Sequence, residues 1–188
     1  MPIKLKDVTF GYENTPVLKN FSLEVADGEV VCLFGESGSG KTSVARLVLG
    51  LEEAGSGKVE VPAKTAAVFQ EDRLFPSMSV WENISCVGGN DIEALLVRAG
   101  LSEVAGKRLW ELSGGMKRRV AILRAINFLG DALVLDEPFN GLDYENKKIM
   151  AQMILEAYGN KPILLISHYP PDCELLGARI VNLEKIKE

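Results

Sequence analysis

Two styles of apolar patterning divide the chain. Ile3, Leu5 and Phe10 alternate with polar neighbours, and so do Phe21, Leu23 and Val25. A period of two predicts half-buried strands, here the two strands of an antiparallel piece. From Val30 the alternation gives way to continuous runs: VVCLF, AAVF at Ala66 to Phe69, ALVL at Ala132 to Leu135, and ILLI at Ile163 to Ile166. Such runs predict strands covered on both faces, the habit of a parallel sheet. ARIVNL near the C-terminus adds a last strand.

Helical spacing fills the gaps. Thr42 to Leu49 reads as one helix. Tyr144 to Tyr158 reads as another, with Ile149, Met150, Met153, Ile154 and Ala157 on one face. Its methionines are expected to fill core space. The stretch from Gln70 to Gly115 contains no buried-strand run. SVWE at Ser79 to Glu82 has the form of a capping box, and DIEALLVRAG reads as a short amphipathic helix closed by Gly100. The expected organisation is one domain over residues 1–188, with a helical subdomain at 71–115 inserted in an α/β core made of 1–70 and 116–188.

Bulk properties narrow the classes. At 188 residues the chain is long enough for one substantial core. A net charge of −5 argues against non-specific binding of nucleic acid. Cys32, Cys86 and Cys173 are widely spaced and form no CxxC pair, which suits incidental thiols in a reducing compartment. No apolar run approaches the roughly 18 residues of a membrane helix. The opening MPIKLKDVTF alternates like a strand and lacks the core of a signal peptide. A cytoplasmic location is therefore expected, with membrane association only through another subunit.

The candidate chemistry begins at GESGSGKT, which has the spacing G-x-x-x-x-G-K-[ST] at Gly35, Gly40, Lys41 and Thr42, between a buried strand and a helix. Glycines let backbone N–H groups converge on phosphate oxygens, and the helix N-terminus adds its positive end. The loop residues Gly35, Glu36, Ser37, Gly38, Ser39, Gly40, Lys41, Thr42 and Ser43 are expected to bind a nucleoside triphosphate, with Thr42 as a Mg²⁺ ligand. ALVLDEP then places Asp136 and Glu137 at the carboxyl end of a buried strand, where open α/β sheets bind ligands. Asp136 is expected to hold Mg²⁺ and Glu137 to take a proton from the attacking water. A second anion-binding helix start, LSGGMKRR at Leu112 to Arg119, opens a basic helix and is redundant within one chain.

Taken in order, the phosphate loop, Gln70 in VFQE, LSGGM at Leu112 to Met116, VLDEP at Val134 to Pro138 and His168 in LISH resemble the ATP-binding-cassette (ABC) family. GLD at Gly141 to Asp143 fills the place of that family's D-loop, and Tyr12 in FGY that of its adenine-stacking aromatic. The resemblance implies a P-loop NTPase fold of ABC type: a mostly parallel core sheet, an N-terminal antiparallel β piece and an inserted helical lobe. It implies ATP and Mg²⁺ as cofactors and a head-to-tail dimer. Ser113, Gly114, Gly115 and Asp143 would then serve ATP held by the partner, which resolves the redundancy. His168 would contact the γ-phosphate and orient Glu137. Gln70 would sense the same phosphate, join the metal shell and act with Glu137, His168 and Lys41 in catalysis. Met116, Asn140 and Gly141 depart from the family's common Gln, Ser and Ala, and altered rates without loss of activity are expected.

Among cassettes, those of chromosome maintenance interrupt the motif set with a long coiled coil, whereas here no heptads separate Lys41 from Ser113. Translation-associated cassettes usually carry two units, and this chain has one. QEDRLFPSMSVWENI resembles the segment after the glutamine in bacterial importer ATPases for nitrate, sulfonate or related solutes. The resemblance implies a homodimeric subunit that drives an integral membrane permease, on the inner face of the cell membrane and without nucleic acid, in solute import. Leu74, Phe75, Met78, Val80 and Trp81 are the candidates for an exposed contact with the permease, and no regulatory domain is expected after IVNLEKI. The alternative is a soluble ABC ATPase without transport, an assembly or nucleic-acid-associated factor.

Overall fold

The computed structural model of the chain describes residues 1–13, 15–89 and 91–184. The continuous apolar runs form one sheet of five strands, in the order β5 (Thr65–Val68), β6 (Ala132–Asp136), β7 (Ile163–Ser167), β3 (Val30–Phe34), β8 (Arg179–Asn182). Every neighbouring pair is parallel. The alternating segments, β1 (Ile3–Tyr12) and β2 (Thr15–Val25), pair antiparallel as expected. A third strand, β4 (Ser56–Glu60), completes that sheet on the far side of β1. The apolar pattern of the sequence gives no sign of β4. Its residues SGKVE carry one apolar side chain, Val59 opposite Leu5, because an edge strand facing solvent needs no apolar face.

Both faces of the parallel sheet are covered, which accounts for the unbroken apolar runs. Cys32, Leu133, Leu135, Ile163 and Leu165 face one core, shared with α4 (Gly114–Phe128) and α5 (Tyr144–Tyr158). Val31, Leu33, Val134, Leu164 and Ile166 face a second core, closed by α1 (Lys41–Val48) and the antiparallel sheet. Between β5 and α4 lie only the short helices α2 (Val80–Ser85) and α3 (Ile92–Arg98) and two 3-10 turns, among the described residues. Helix α2 begins with the expected capping box: Ser79 Oγ accepts from Glu82 N–H at 3.2 Å, and Glu82 Oε2 accepts from Ser79 N–H at 2.6 Å. One further helix, α6 (Pro170–Leu175), was hidden by its opening Pro-Pro, which reads as a turn but also fits the first turn of a helix.

Two side-chain expectations are corrected. Ile149 is 39% exposed and Ala157 is only partly buried; the buried stripe of α5 is Met150, Ala151, Met153, Ile154 and Tyr158, following the i, i+4 spacing from 150 to 154 to 158. Val80 is wholly buried in the first core, so it offers no exposed contact, whereas Phe75 and Trp81 remain 48% and 43% exposed. Leu74 and Met78 are partly buried. Asn83 holds this exposed turn in shape, accepting from Phe75 N–H and donating to the carbonyls of Phe75 and Ser79.

Tyr158 ties α5 to the start of the sheet. Its buried hydroxyl donates to the Ala125 carbonyl at 2.7 Å and accepts from Gly130 N–H at 3.1 Å, and burial pushes its pKa to about 12. Replacing Tyr158 with Phe keeps the ring volume but leaves a buried carbonyl and N–H unpaired. A loss of about 1–3 kcal/mol is expected, read as a fall of a few degrees in Tm by calorimetry; an unchanged Tm would mean that water replaces the hydroxyl.

Candidate nucleotide-binding site

Parallel pairing brings three strand ends to one rim. Phe34 is level with Ser167, and Asp136 with Ile166, so the residues that follow emerge side by side. After Phe34 the chain turns through residues 35–40 and enters α1. Two glycines are required there by contact. At Gly35 a Cβ would lie 2.5 Å from the Leu183 carbonyl oxygen. Gly40, with φ +101°, occupies the left-handed region as the residue before α1, and its Cβ would lie 2.9 Å from Val17 Cγ1.

The loop closes around its own lysine. Lys41 Nζ donates to the carbonyls of Gly35 and Glu36, both at 2.7 Å. Its ammonium thus sits over the concavity formed by the loop backbone. Ser39 Oγ is buried with no partner. Thr42 Oγ1 donates to Asp136 Oδ2 at 3.3 Å, which joins the start of α1 to the end of β6. Burial, and then the neighbouring Glu137 charge, raise the pKa of Asp136 against the lowering effects of Thr42, Arg118 and Lys41. A cation bound beside this carboxylate would relieve that penalty.

Glu137 has an uncommon backbone. Its φ of +48° lies in the left-handed region, which costs a side-chain-bearing residue about 1–3 kcal/mol. Its N–H donates to the Ile166 carbonyl of β7 at 2.9 Å. Its Oε1 lies 2.6 Å from His168 Nδ1, and its Oε2 is buried without a partner. The carboxylate therefore has one oxygen engaged and one unpaired. His168, just past β7, is 64% exposed and can present its other ring nitrogen to a ligand.

Together these residues line a cavity of about 650 Å³, which takes in Tyr12, Gly35, Glu36, Ser37, Gly38, Gly40, Lys41, Thr42, Ser43, Gln70, Asp136, Glu137 and His168. Ser39 belongs to the loop but is turned inward. Val17 and Asn140 also line the cavity, and the sequence reading gave neither a place in it. Val17 is brought there by the antiparallel sheet folding over the loop, a long-range event with no local signal. Asn140 returns to the rim because its N–H bonds the Glu137 carbonyl, a turn that the spacing of EPFN could have suggested.

Ser113, Gly114, Gly115 and Asp143 lie outside this cavity. Ser113 Oγ caps α4 by accepting from Met116 N–H at 3.3 Å. Gly115 packs against the D-loop: a Cβ there would be 3.2 Å from the Gly141 carbonyl oxygen. Asp143 caps α5, accepting from Asn146 N–H at 2.9 Å, and the bonds from Asn146 hold its carboxyl below the usual range. The basic character of the LSGGMKRR helix is also less available to an anion than its sequence suggests. Arg118 is buried, and Arg119 Nη1 donates to the Ala99 carbonyl at 2.5 Å.

Known proteins resemble this chain in sequence and in fold. A family model described as ABC transporter matches residues 18–140. An aliphatic sulfonates import ATP-binding protein of Pseudomonas syringae pv. syringae is 37% identical over 189 residues, spanning 97% of this chain and 69% of that protein. A taurine import ATP-binding protein of Sinorhizobium fredii is likewise 37% identical, over 89% of this chain and 70% of that protein. A solved ATP-binding subunit of an ABC transporter superposes with a TM-score of 0.89 over 98% of this chain and 86% of its own, at 24% identity, and so speaks for the fold. With a family match across both the phosphate loop and the acidic strand end, and relatives of which it spans more than two thirds, this chain belongs to the ABC transporter family as one of its ATP-hydrolysing subunits.

Proposed function

We propose that this subunit works as a head-to-tail pair which closes on ATP and drives a membrane permease, in the import of a small solute. One observation carries the paired reading: the phosphate-directed elements fall on two surfaces, with the loop in the cavity and Ser113 to Gly115 outside it. A capped helix start with exposed backbone N–H groups suits an anion that the chain itself does not hold. In a pair, the start of α4 in each chain would face the γ-phosphate bound by the other, with Asp143 beside it.

Within the cavity, the roles follow from chemistry and position. Tyr12, its ring edge-on to Phe10 and its hydroxyl accepting from Arg46, would stack on the adenine. Lys41 would exchange two carbonyl oxygens for β- and γ-phosphate oxygens. Thr42, Asp136 and Gln70 offer hard oxygen donors at one end of the cavity and would hold Mg²⁺, which would neutralise phosphate charge there. Glu137 would accept the proton of the attacking water through its unpaired oxygen, while His168 holds the other and reaches the γ-phosphate.

The helical stretch 71–115 would be a subdomain that reports the state of Gln70 to the permease, with Phe75 and Trp81 as its exposed contacts. The import reading comes from the relatives, which are import ATP-binding proteins for aliphatic sulfonates and for taurine. No helix among the described residues is long and apolar enough to cross a membrane. The permease would hold this subunit at the inner face.

Three outcomes are expected. By light scattering, the Glu137→Gln chain should pass from monomer to dimer when Mg·ATP is added, and the Lys41→Ala chain should not; ATP-dependent pairing without Lys41 would refute the site. His168→Ala should lower the steady-state ATPase rate by at least about a hundredfold, with equilibrium ATP binding retained; a rate near wild type would remove His168 from the reaction. Met116→Gln should change the rate by less than about tenfold, because a single added hydrogen bond is worth at most about 1.5 kcal/mol. A larger gain would show that Met116 had disabled the helix start.

A further inference from the structure

The most deeply buried cation among the described residues lies outside the lining of the nucleotide cavity. Arg118, in the second turn of α4, is 3% exposed. Its guanidinium is surrounded chiefly by backbone carbonyls. Nε donates to Pro138 O at 2.7 Å, and Nη2 donates to Asp136 O at 2.9 Å and to Glu137 O at 2.6 Å. Nη1 donates to Phe69 O at 2.5 Å and approaches Gln70 O at 3.4 Å. The carboxylate it pairs with, Asp72, is partly exposed and 3.3 Å away.

Three consecutive carbonyls, of residues 136 to 138, converge on this one group. An extended strand cannot do that, because its successive carbonyls point in opposite directions. The left-handed backbone at Glu137, with φ +48°, breaks the alternation and turns them to one side. The conformation and the guanidinium therefore require each other. The same conformation places Glu137 Oε1 at 2.6 Å from His168. Through Nη1 the group also ties the end of VFQ to the acidic turn, so the spacing between Gln70 and Glu137 is set by one rigid plane. A lysine could not reproduce this, since its ammonium is a compact point charge without a fork.

We propose that Arg118 is a positioning residue for ATP hydrolysis: it holds the Asp136–Glu137–Pro138 turn and Gln70 in a single frame, so that Glu137 faces the water. This rests on the assignment of Glu137 as the base. Arg118 contacts none of the loop residues that bind the phosphates, so it should govern turnover and leave nucleotide affinity alone.

The test compares Arg118→Lys in the wild-type and Glu137→Gln backgrounds, using the full chain, with ATP affinity measured at equilibrium and kcat expressed per ATP-binding site. We expect Arg118→Lys to lower kcat by at least about tenfold with ATP affinity unchanged. We also expect that loss to vanish when Glu137 is already Gln, as coupled residues require. An unchanged kcat, or the same proportional loss in both backgrounds, would overturn the proposal. Glu137→Gln alone reads the base assignment separately: a chain that keeps the wild-type rate overturns that assignment, and with it the action through Glu137. Should Arg118→Lys fail to fold, Asp72→Asn decides, since Asp72 is a partly exposed partner. A fall in kcat of about two- to fivefold at constant affinity supports the proposal, and an unchanged kcat overturns it.

Discussion

The parallel register of β6, β7 and β3 is the constraint on which the rest depends. Strands that run the same way must end on the same side, so the residues after Phe34, Asp136 and Ser167 reach one rim without any further instruction. Gly35, Glu137 and His168 are those residues. The burial of β6 and β7 on both faces holds the rim rigidly, since any slip in register would drive apolar side chains out of both cores. What remains to be specified is how each chain segment leaves its strand: through glycines at the loop, through a left-handed residue at Glu137, and directly into His168.

Two buried cations serve this rim in opposite ways. Lys41 and Arg118 are both satisfied mainly by carbonyl oxygens. Lys41 sits on a flexible stem, with two bonds to the loop that phosphate oxygens can replace. Arg118 is fixed by a planar fork that joins two segments of backbone, and no ligand can take its place without dismantling the turn. The same backbone chemistry thus yields a mobile charge where substrate enters and an immobile one where geometry must persist.

How far the sequence showed this depends on how local each feature is. The continuous runs at Val30, Ala132 and Ile163 announced the buried strands because coverage on both faces leaves no room for polar residues. The phosphate loop and VLDEP were legible because their spacing is dictated by a ligand. Strand β4 was not, since an edge strand with Val59 as its inward residue carries little pattern. Ile149 was assigned to the wrong face because neighbouring apolar positions on a helix differ by a hundred degrees, and only packing decides which is covered. Arg118 was the least legible of all. In LSGGMKRR it looks like one more solvated charge, and only the fold shows that its partners are the carbonyls of residues 69, 70 and 136 to 138, with the Asp72 carboxylate beside them.

That dispersal of partners bears on how the chain reaches its native state. The hydrogen bonds of Arg118 span 18 to 49 residues of sequence. A partly formed molecule that had packed α4 before β5 and β6 were in place would strand a guanidinium in an apolar setting, a state disfavoured by several kcal/mol. Such intermediates should be scarce. The end of the Gln70 segment, the acidic turn and the LSGGM helix therefore condense together or remain open together, and the machinery for hydrolysis cannot be half built in a molecule that is otherwise folded.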